Sequence, residues 1–235
     1  MDGWGRGGSV NVRSQRFDRQ NAMHGTSLAR SGLAMSIKIK RMISATYPEH
    51  GPLFTQLKTV PKLKPRDTPL PEAVVRVVTG QMLSGAVAKA IYGRVTAAAT
   101  ERGLVGSWQL DYDSLRGCGL SGSKANTIRA FGEKIGGDVS ALEHWRTLDV
   151  NSLIQEISSN KGMGEWTASI LALFYVGHED VFPAGDGSLR RAITALQRRE
   201  AKRSRRYKFD PDQARPFRSY LALYLWQALD TGLLD

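Results

Sequence analysis

Asn160 to Leu189 read NKGMGEWTASILALFYVGHEDVFPAGDGSL: two glycines, Gly162 and Gly164, then Trp166, an apolar run, and an aspartate, Asp186, between glycines. Ahead of this stretch Leu153, Ile154 and Ile157 lie on one face of a helix over 151–157. Within it Trp166, Ile170, Leu173, Phe174 and Gly177 keep the i, i+4, i+7, i+8, i+11 spacing of a second helix. The whole, about 151–177, therefore reads as helix, four-residue turn Lys161-Gly162-Met163-Gly164, and helix, an antiparallel pair. The glycines tolerate positive φ and leave backbone N–H groups uncovered where the second helix begins. Those amides and the helix dipole suit a phosphate, gripped without any reading of sequence. A G-x-G turn alone is also what an ordinary tight αα-hairpin uses.

Charge favours the phosphate. Lys and Arg number 33 against 22 Asp and Glu, a formal net charge of +11, and the pI is about 10.0. Such an excess points to a polyanionic partner, either nucleic acid or an anionic membrane surface. No apolar run approaches the ~20 residues that span a bilayer, which leaves nucleic acid as the stronger reading. With 235 residues, 41% of them hydrophobic, the chain supplies a sizeable core. The single Cys118 excludes an internal disulfide and a four-cysteine metal site, and it suits a reducing compartment. His24, His50, His144 and His178 are scattered without ligand spacing, so no metal held by side chains is expected. Neither a G-x-S-x-G elbow nor a G-x-x-x-x-G-K-S/T loop is present, which argues against a serine-hydrolase triad or a nucleotide-triphosphate engine.

Residues 1–35, with Gly3, Gly5, Gly7, Gly8 and scattered arginines, read as a disordered basic leader. It is either dispensable, Met23 and Met35 being alternative starts, or a targeting peptide for an organelle or the nucleus; without targeting, a bacterial cytoplasm is the expected compartment. Residues 36–235 read as one folded unit. Helices are expected over 70–83, 86–99, 124–135 (with Ser121 as N-cap), 151–157, 165–176 and 211–229, and alternating β patterns are short and rare. The fold class is all-α.

Asp186 stands in VFPAGDGSLRRA, just ahead of a helical run, where an N-cap carboxylate is the ordinary expectation. An N-cap carboxylate is fixed in direction and can also point into a cleft. There it suits a reaction that develops positive charge on a sugar, as glycosidic cleavage does.

The combination resembles the helix-hairpin-helix DNA glycosylase superfamily, and within it the 3-methyladenine DNA glycosylase II branch. The likeness runs over about 69–228 in ordered blocks. VVTGQMLSGAVAKAIYGRV is similar to the family's glutamine-serine helix junction, with Gln81 and Ser84 matching and Met82 standing where a second glutamine is common. The resemblance implies that Met82 or Leu83 wedges into the gap left by a flipped nucleotide, while Leu83 also suits simple packing. LRGCGLSGSKANTIRAF resembles a further family segment through Gly119, Leu120, Ser121 and Lys124, read as scaffold. ARPFRSYLALYLW resembles the terminal helix through Pro216, Arg218, Ser219 and Trp226, with Ala214 departing where an aromatic is usual.

By this resemblance Asp186 is the catalytic carboxylate, and Trp166 and Trp226 line the base pocket, although both also suit core packing. Lys161, Gly162, Gly164, Thr167, Gln81, Ser84 and Arg218 are expected on the DNA backbone. Superfamily members that also cut the backbone place a lysine two residues after the second hairpin glycine; here that place holds Trp166, which implies a monofunctional enzyme leaving an abasic site. Ring-nitrogen alkylation makes a purine cationic and its glycosidic bond weak, so stacking on tryptophan prefers the damaged base by ~0.5–2 kcal/mol per contact.

The expected architecture is two helical lobes with a DNA-binding cleft between them. The expected partner is damaged double-stranded DNA, bound by a monomer. No cofactor is required, although the family allows a monovalent cation on the hairpin carbonyls. The run 190–208, with nine Lys or Arg and only Glu200 as an acid, is either a solvated face or an extension of the phosphate footprint. Two other functions stay open: a noncatalytic DNA-binding protein, and a glycosylase for uracil or another deaminated base.

Overall fold

A computed structural model describes residues 28–201 and 208–234, and every regular element among them is helical. The helices are α1 (Leu28–Thr46), α2 (Gly51–Gln56), α3 (Leu70–Gly80), α4 (Gly85–Glu101), α5 (Tyr112–Gly117), α6 (Gly122–Ile135), α7 (Val150–Ser158), α8 (Glu165–Leu171), α9 (Gly187–Ala201) and α10 (Arg218–Asp230). No described helix is long and apolar enough to cross a membrane.

The described helices gather around two cores. In the first, α3 to α8 enclose Val74, Val78, Val95, Trp108, Ile128, Leu153 and Ile170. In the second, Ile39 and Ile43 of α1 and Phe54 of α2 meet Leu189 and Leu196 of α9 and Tyr220, Leu221 and Leu225 of α10. The two ends of the described chain thus build one lobe and its middle the other. The extended segment between α2 and α3 is stitched to both: the Tyr224 and Tyr220 hydroxyls accept from the Val60 and Leu63 N–H groups, and the Arg66 N–H donates to the Tyr175 carbonyl. Phe174 and Trp226 pack against both cores, marking the seam.

Several expected boundaries move. Helix α1 begins at Leu28, so a leader boundary at residue 35 falls inside a helix; residues 1–27 lie outside the described residues. The sequence concealed this because Leu33, Met35 and Ile37 are exposed, while the stripe facing the core starts at Ser36 and continues through Ile39 and Ile43. The helix expected to Leu83 stops at Gly80, because Met82 takes a left-handed φ of 56° that no α-helix tolerates. The helix expected over 165–176 is α-helical only to Leu171 and continues as a π turn over Ala172–Val176, which carries Leu173 into the second core. The stretch 211–229 divides into a short turn, Pro211–Ala214, and α10, since Pro216 has no N–H with which to continue a helix.

Candidate active site at the lobe seam

Asp186 lies at the seam, at the start of α9. Its Oδ1 accepts from the N–H groups of Ser188 at 2.9 Å and Leu189 at 3.0 Å, so the carboxylate caps the helix. The cap role and a cleft-facing role occur together, because two more donors reach the same group from outside α9. Trp166 Nε1 of α8 donates to Oδ2 at 3.0 Å, and Trp226 Nε1 of α10 donates to Oδ1 at 3.1 Å. Four N–H groups from three helices fix its direction.

The two tryptophans are half-buried, and their indole edges are committed to Asp186. Phe174 stacks on Trp226 with centroids 5.7 Å apart and planes tilted by 23°, supporting one ring with the other. Phe174 is a site residue that the helical pattern assigned only to an apolar face. It lies in the π turn and packs against both cores.

The hairpin joins α7 to α8 through residues 159–164. Met163 between the glycines is 1% exposed and anchors the turn in the first core. Asp149 caps α7 by accepting from the Asn151 and Ser152 N–H groups. Only Gly162 needs positive φ, at 82°, and a Cβ there would stand 2.0 Å from Thr127 Oγ1. Gly164 has an ordinary φ of −77° and open space where a Cβ would point. Neither backbone strain nor crowding requires a glycine there, so its small size keeps the outer face of the turn clear. Lys161 is exposed beside it.

Three side chains expected on the DNA backbone make hydrogen bonds within the protein. The Thr167 side chain is 1% exposed and its hydroxyl accepts from Gln81 Nε2 at 2.9 Å. The Gln81 amide also donates to the Gly162 carbonyl at 3.0 Å, so its donor end holds the protein together rather than facing outward. Arg218 is held by Asp180 through Nε at 2.7 Å and Nη2 at 3.1 Å, and by Asp212 through Nη1 at 2.8 Å; its side chain is 15% exposed. A planar guanidinium already forked onto carboxylates has little left for a phosphate. Ser84, also expected on the DNA backbone, stands at the N-cap of α4 and makes no side-chain cap bond.

Met82 is fully exposed at the tip of the α3–α4 loop. Leu83 instead packs against the first core, which separates the two wedge candidates. On α9, Leu189, Ala192 and Leu196 are buried while Arg190, Arg191, Arg198 and Arg199 face outward; residues 202–207 of the basic run lie outside the described residues.

No family model matches the chain. In sequence it is 29% identical over 161 residues to DNA-3-methyladenine glycosylase 1 of Schizosaccharomyces pombe, covering 66% of this chain and 71% of that one. It is 23% identical over 162 residues to the alkylbase DNA glycosidase-like protein mag2 of the same yeast, covering 66% and 76%. Among solved structures it is similar to the Schizosaccharomyces pombe 3-methyladenine DNA glycosylase in complex with abasic DNA, with a TM-score of 0.64, 24% identity, and coverage of 81% of this chain and 96% of that one. It is also similar to the 3-methyladenine DNA glycosylase from Archaeoglobus fulgidus, with a TM-score of 0.63, 17% identity, and coverage of 89% and 78%. At these identities the structural likenesses establish the fold.

Proposed function

We propose, from the premise that this chain belongs with the helix-hairpin-helix DNA glycosylases of the 3-methyladenine type, that it excises alkylated purines from duplex DNA by hydrolysing the N-glycosidic bond, acts as a monomer, and leaves an abasic site. The observation that carries this reading is the Asp186 carboxylate, fixed by four N–H donors at the seam of two lobes in a strongly basic chain.

The chemistry follows from that placement. A base already cationic through alkylation leaves with its bonding electrons and needs little activation. What builds up is positive charge on the sugar, and a carboxylate that need not reorient stabilises it. The same carboxylate orients the water that attacks the sugar carbon and accepts its proton. Trp226, backed by Phe174, offers a ring face for the flipped base while its edge holds Asp186. Met82, exposed at its loop tip, fills the space the base vacates. The turn at Lys161, Gly162 and Gly164, together with Ser84 at the start of α4, contacts phosphates. No lyase step is included, because Trp166 occupies the place where the resemblance puts the Schiff-base lysine of backbone-cutting members. A monovalent cation on the hairpin would share the Gly162 carbonyl with the Gln81 amide, and no step depends on it.

The test is single-turnover base release from alkylated duplex DNA by wild type and Asp186→Asn, with strand cleavage scored before and after alkali. Asparagine caps a helix nearly as well as aspartate, so α9 should persist while the charge is lost. Release should fall by about a hundredfold or more with DNA binding retained, and nicks should appear only after alkali. Nicking without alkali would exclude the monofunctional mechanism. Binding without release across alkylated, uracil and hypoxanthine substrates would make the protein a noncatalytic binder.

A further inference from the structure

We propose that Lys124 is a positioning residue for the wedge, holding the Met82 loop against the hairpin so that wedge and phosphate grip move as one body. The inference rests on the glycosylase reading for its consequence but on packing alone for its geometry.

Met82 projects fully into solvent from a left-handed φ of 56°, a conformation that a non-glycine side chain keeps only when its surroundings impose it. After it Leu83 packs against the first core, and before it the restraints are polar. Helix α3 ends at Gly80, where the Gln81 and Leu83 N–H groups take up the Val78 and Gly80 carbonyls at 3.2 Å and the Thr79 carbonyl is left to a donor from elsewhere. Lys124 of α6, 43 positions from Gln81, donates from Nζ to the Thr79 carbonyl at 2.9 Å and to the Gln81 carbonyl at 2.6 Å. One ammonium therefore ties off the end of the helix and the residue just before the wedge. From the same Gln81 the side-chain amide crosses to the hairpin, reaching the Gly162 carbonyl and the Thr167 hydroxyl at 3.0 and 2.9 Å. Helix α6 closes the circuit, because Thr127, one turn on from Lys124, fills the space beside Gly162 where a side chain would otherwise go.

Backbone carbonyls, rather than carboxylates, hold the Lys124 ammonium, and burial pushes its pKa below the usual lysine range. An ammonium half removed from water with only dipoles as partners is a poor choice for solubility or for an ion pair. It is well suited to gathering two diverging carbonyls, since it supplies three donors from one point. A wedge gains from such a hold because the loop must resist the stack it enters. A loop that yields would leave the nucleotide paired.

The test uses the full chain with Lys124→Met, which keeps length and removes the donors, Lys124→Arg, which restores them, Met82→Ala, and the Lys124→Met/Met82→Ala double variant. In the free protein, amide hydrogen exchange across 81–85 should quicken in Lys124→Met and return towards wild type in Lys124→Arg, with melting temperature followed alongside. On DNA, base flipping read by 2-aminopurine fluorescence beside the lesion, and single-turnover release, should fall about tenfold in Lys124→Met, while affinity for undamaged duplex stays within about twofold. In the Met82→Ala background the same change should add little, because the wedge it positions is gone. Unchanged exchange at 81–85, or equal losses in both backgrounds, overturns the assignment. A silent Met82→Ala in an enzyme that still releases base removes the wedge and this proposal with it, and leaves the glycosylase reading standing.

Discussion

The Trp166 indole N–H donates to Oδ2 of Asp186 at 3.0 Å, joining the residue just behind the hairpin glycines to the carboxylate that begins α9. Trp226 makes the matching bond to Oδ1 at 3.1 Å, so in each tryptophan the edge is used by Asp186, while the proposed function gives the ring face to a base. These two uses can be separated.

Trp226→Phe and Trp166→Phe keep an aromatic face and delete the donor. A hydrogen bond to a charged group contributes about 1.5–3 kcal/mol, so each change should slow single-turnover release by roughly 10- to 100-fold. Binding of abasic product DNA should change far less. Normal turnover with weakened lesion binding would show that the rings act by stacking alone.

The two hairpin glycines should respond differently to alanine. Gly162→Ala meets Thr127 Oγ1 and an unfavourable φ, and a loss of more than about 2 kcal/mol in denaturant unfolding is expected. Gly164→Ala has room and an ordinary φ, so its stability should stay within about 1 kcal/mol of wild type. Its affinity for undamaged duplex should fall, and the salt slope should shallow by about one phosphate. A stable Gly164→Ala with unchanged DNA affinity would remove the turn from the interface.

Arg218 should act on the fold and not on DNA. Arg218→Met leaves the Asp180 carboxylate, 26% exposed, with Arg215 as its remaining cation at 3.2 Å and breaks the 2.8 Å link to Asp212, a loss of about 1–3 kcal/mol. The salt dependence of DNA binding should match wild type, as measured by titration at several ionic strengths. A shallower slope would return Arg218 to the phosphate contacts.

Stability should decline in mild acid. Burial holds His178 below the usual histidine range, against the opposing pull of the Leu148 backbone and Asp149, and burial likewise lowers His50. The folded state disfavours the charged ring, so the unfolded chain takes up the proton more readily. Stability is therefore complete above the ordinary histidine range and falls as pH drops through it, levelling off below the folded-state values. Melting temperature measured from pH 8 to pH 5 should show this limb, and His178→Gln should flatten it. An unaltered limb in that variant would place the titration elsewhere.

The sequence by itself determined the helical hairpin, the N-cap position of Asp186 and the all-α class. Helix periodicity and capping act across a few residues, and the chain spells them out locally in Leu153 to Ile157, in Trp166 to Leu171 and in the Asp-Gly-Ser-Leu start of α9. Tertiary structure alone decided where long side chains spend their hydrogen bonds. Gln81 lies 81 positions from Gly162, Trp226 40 from Asp186, and Arg218 38 from Asp180. A glutamine, a tryptophan edge or an arginine carries no local sign of which acceptor folding will bring to it. That is why Arg218 and the Gln81 amide read as DNA contacts in the sequence and turn inward in the fold. It is also why Lys124, which reads as scaffold, emerges on the Thr79 and Gln81 carbonyls ahead of Met82.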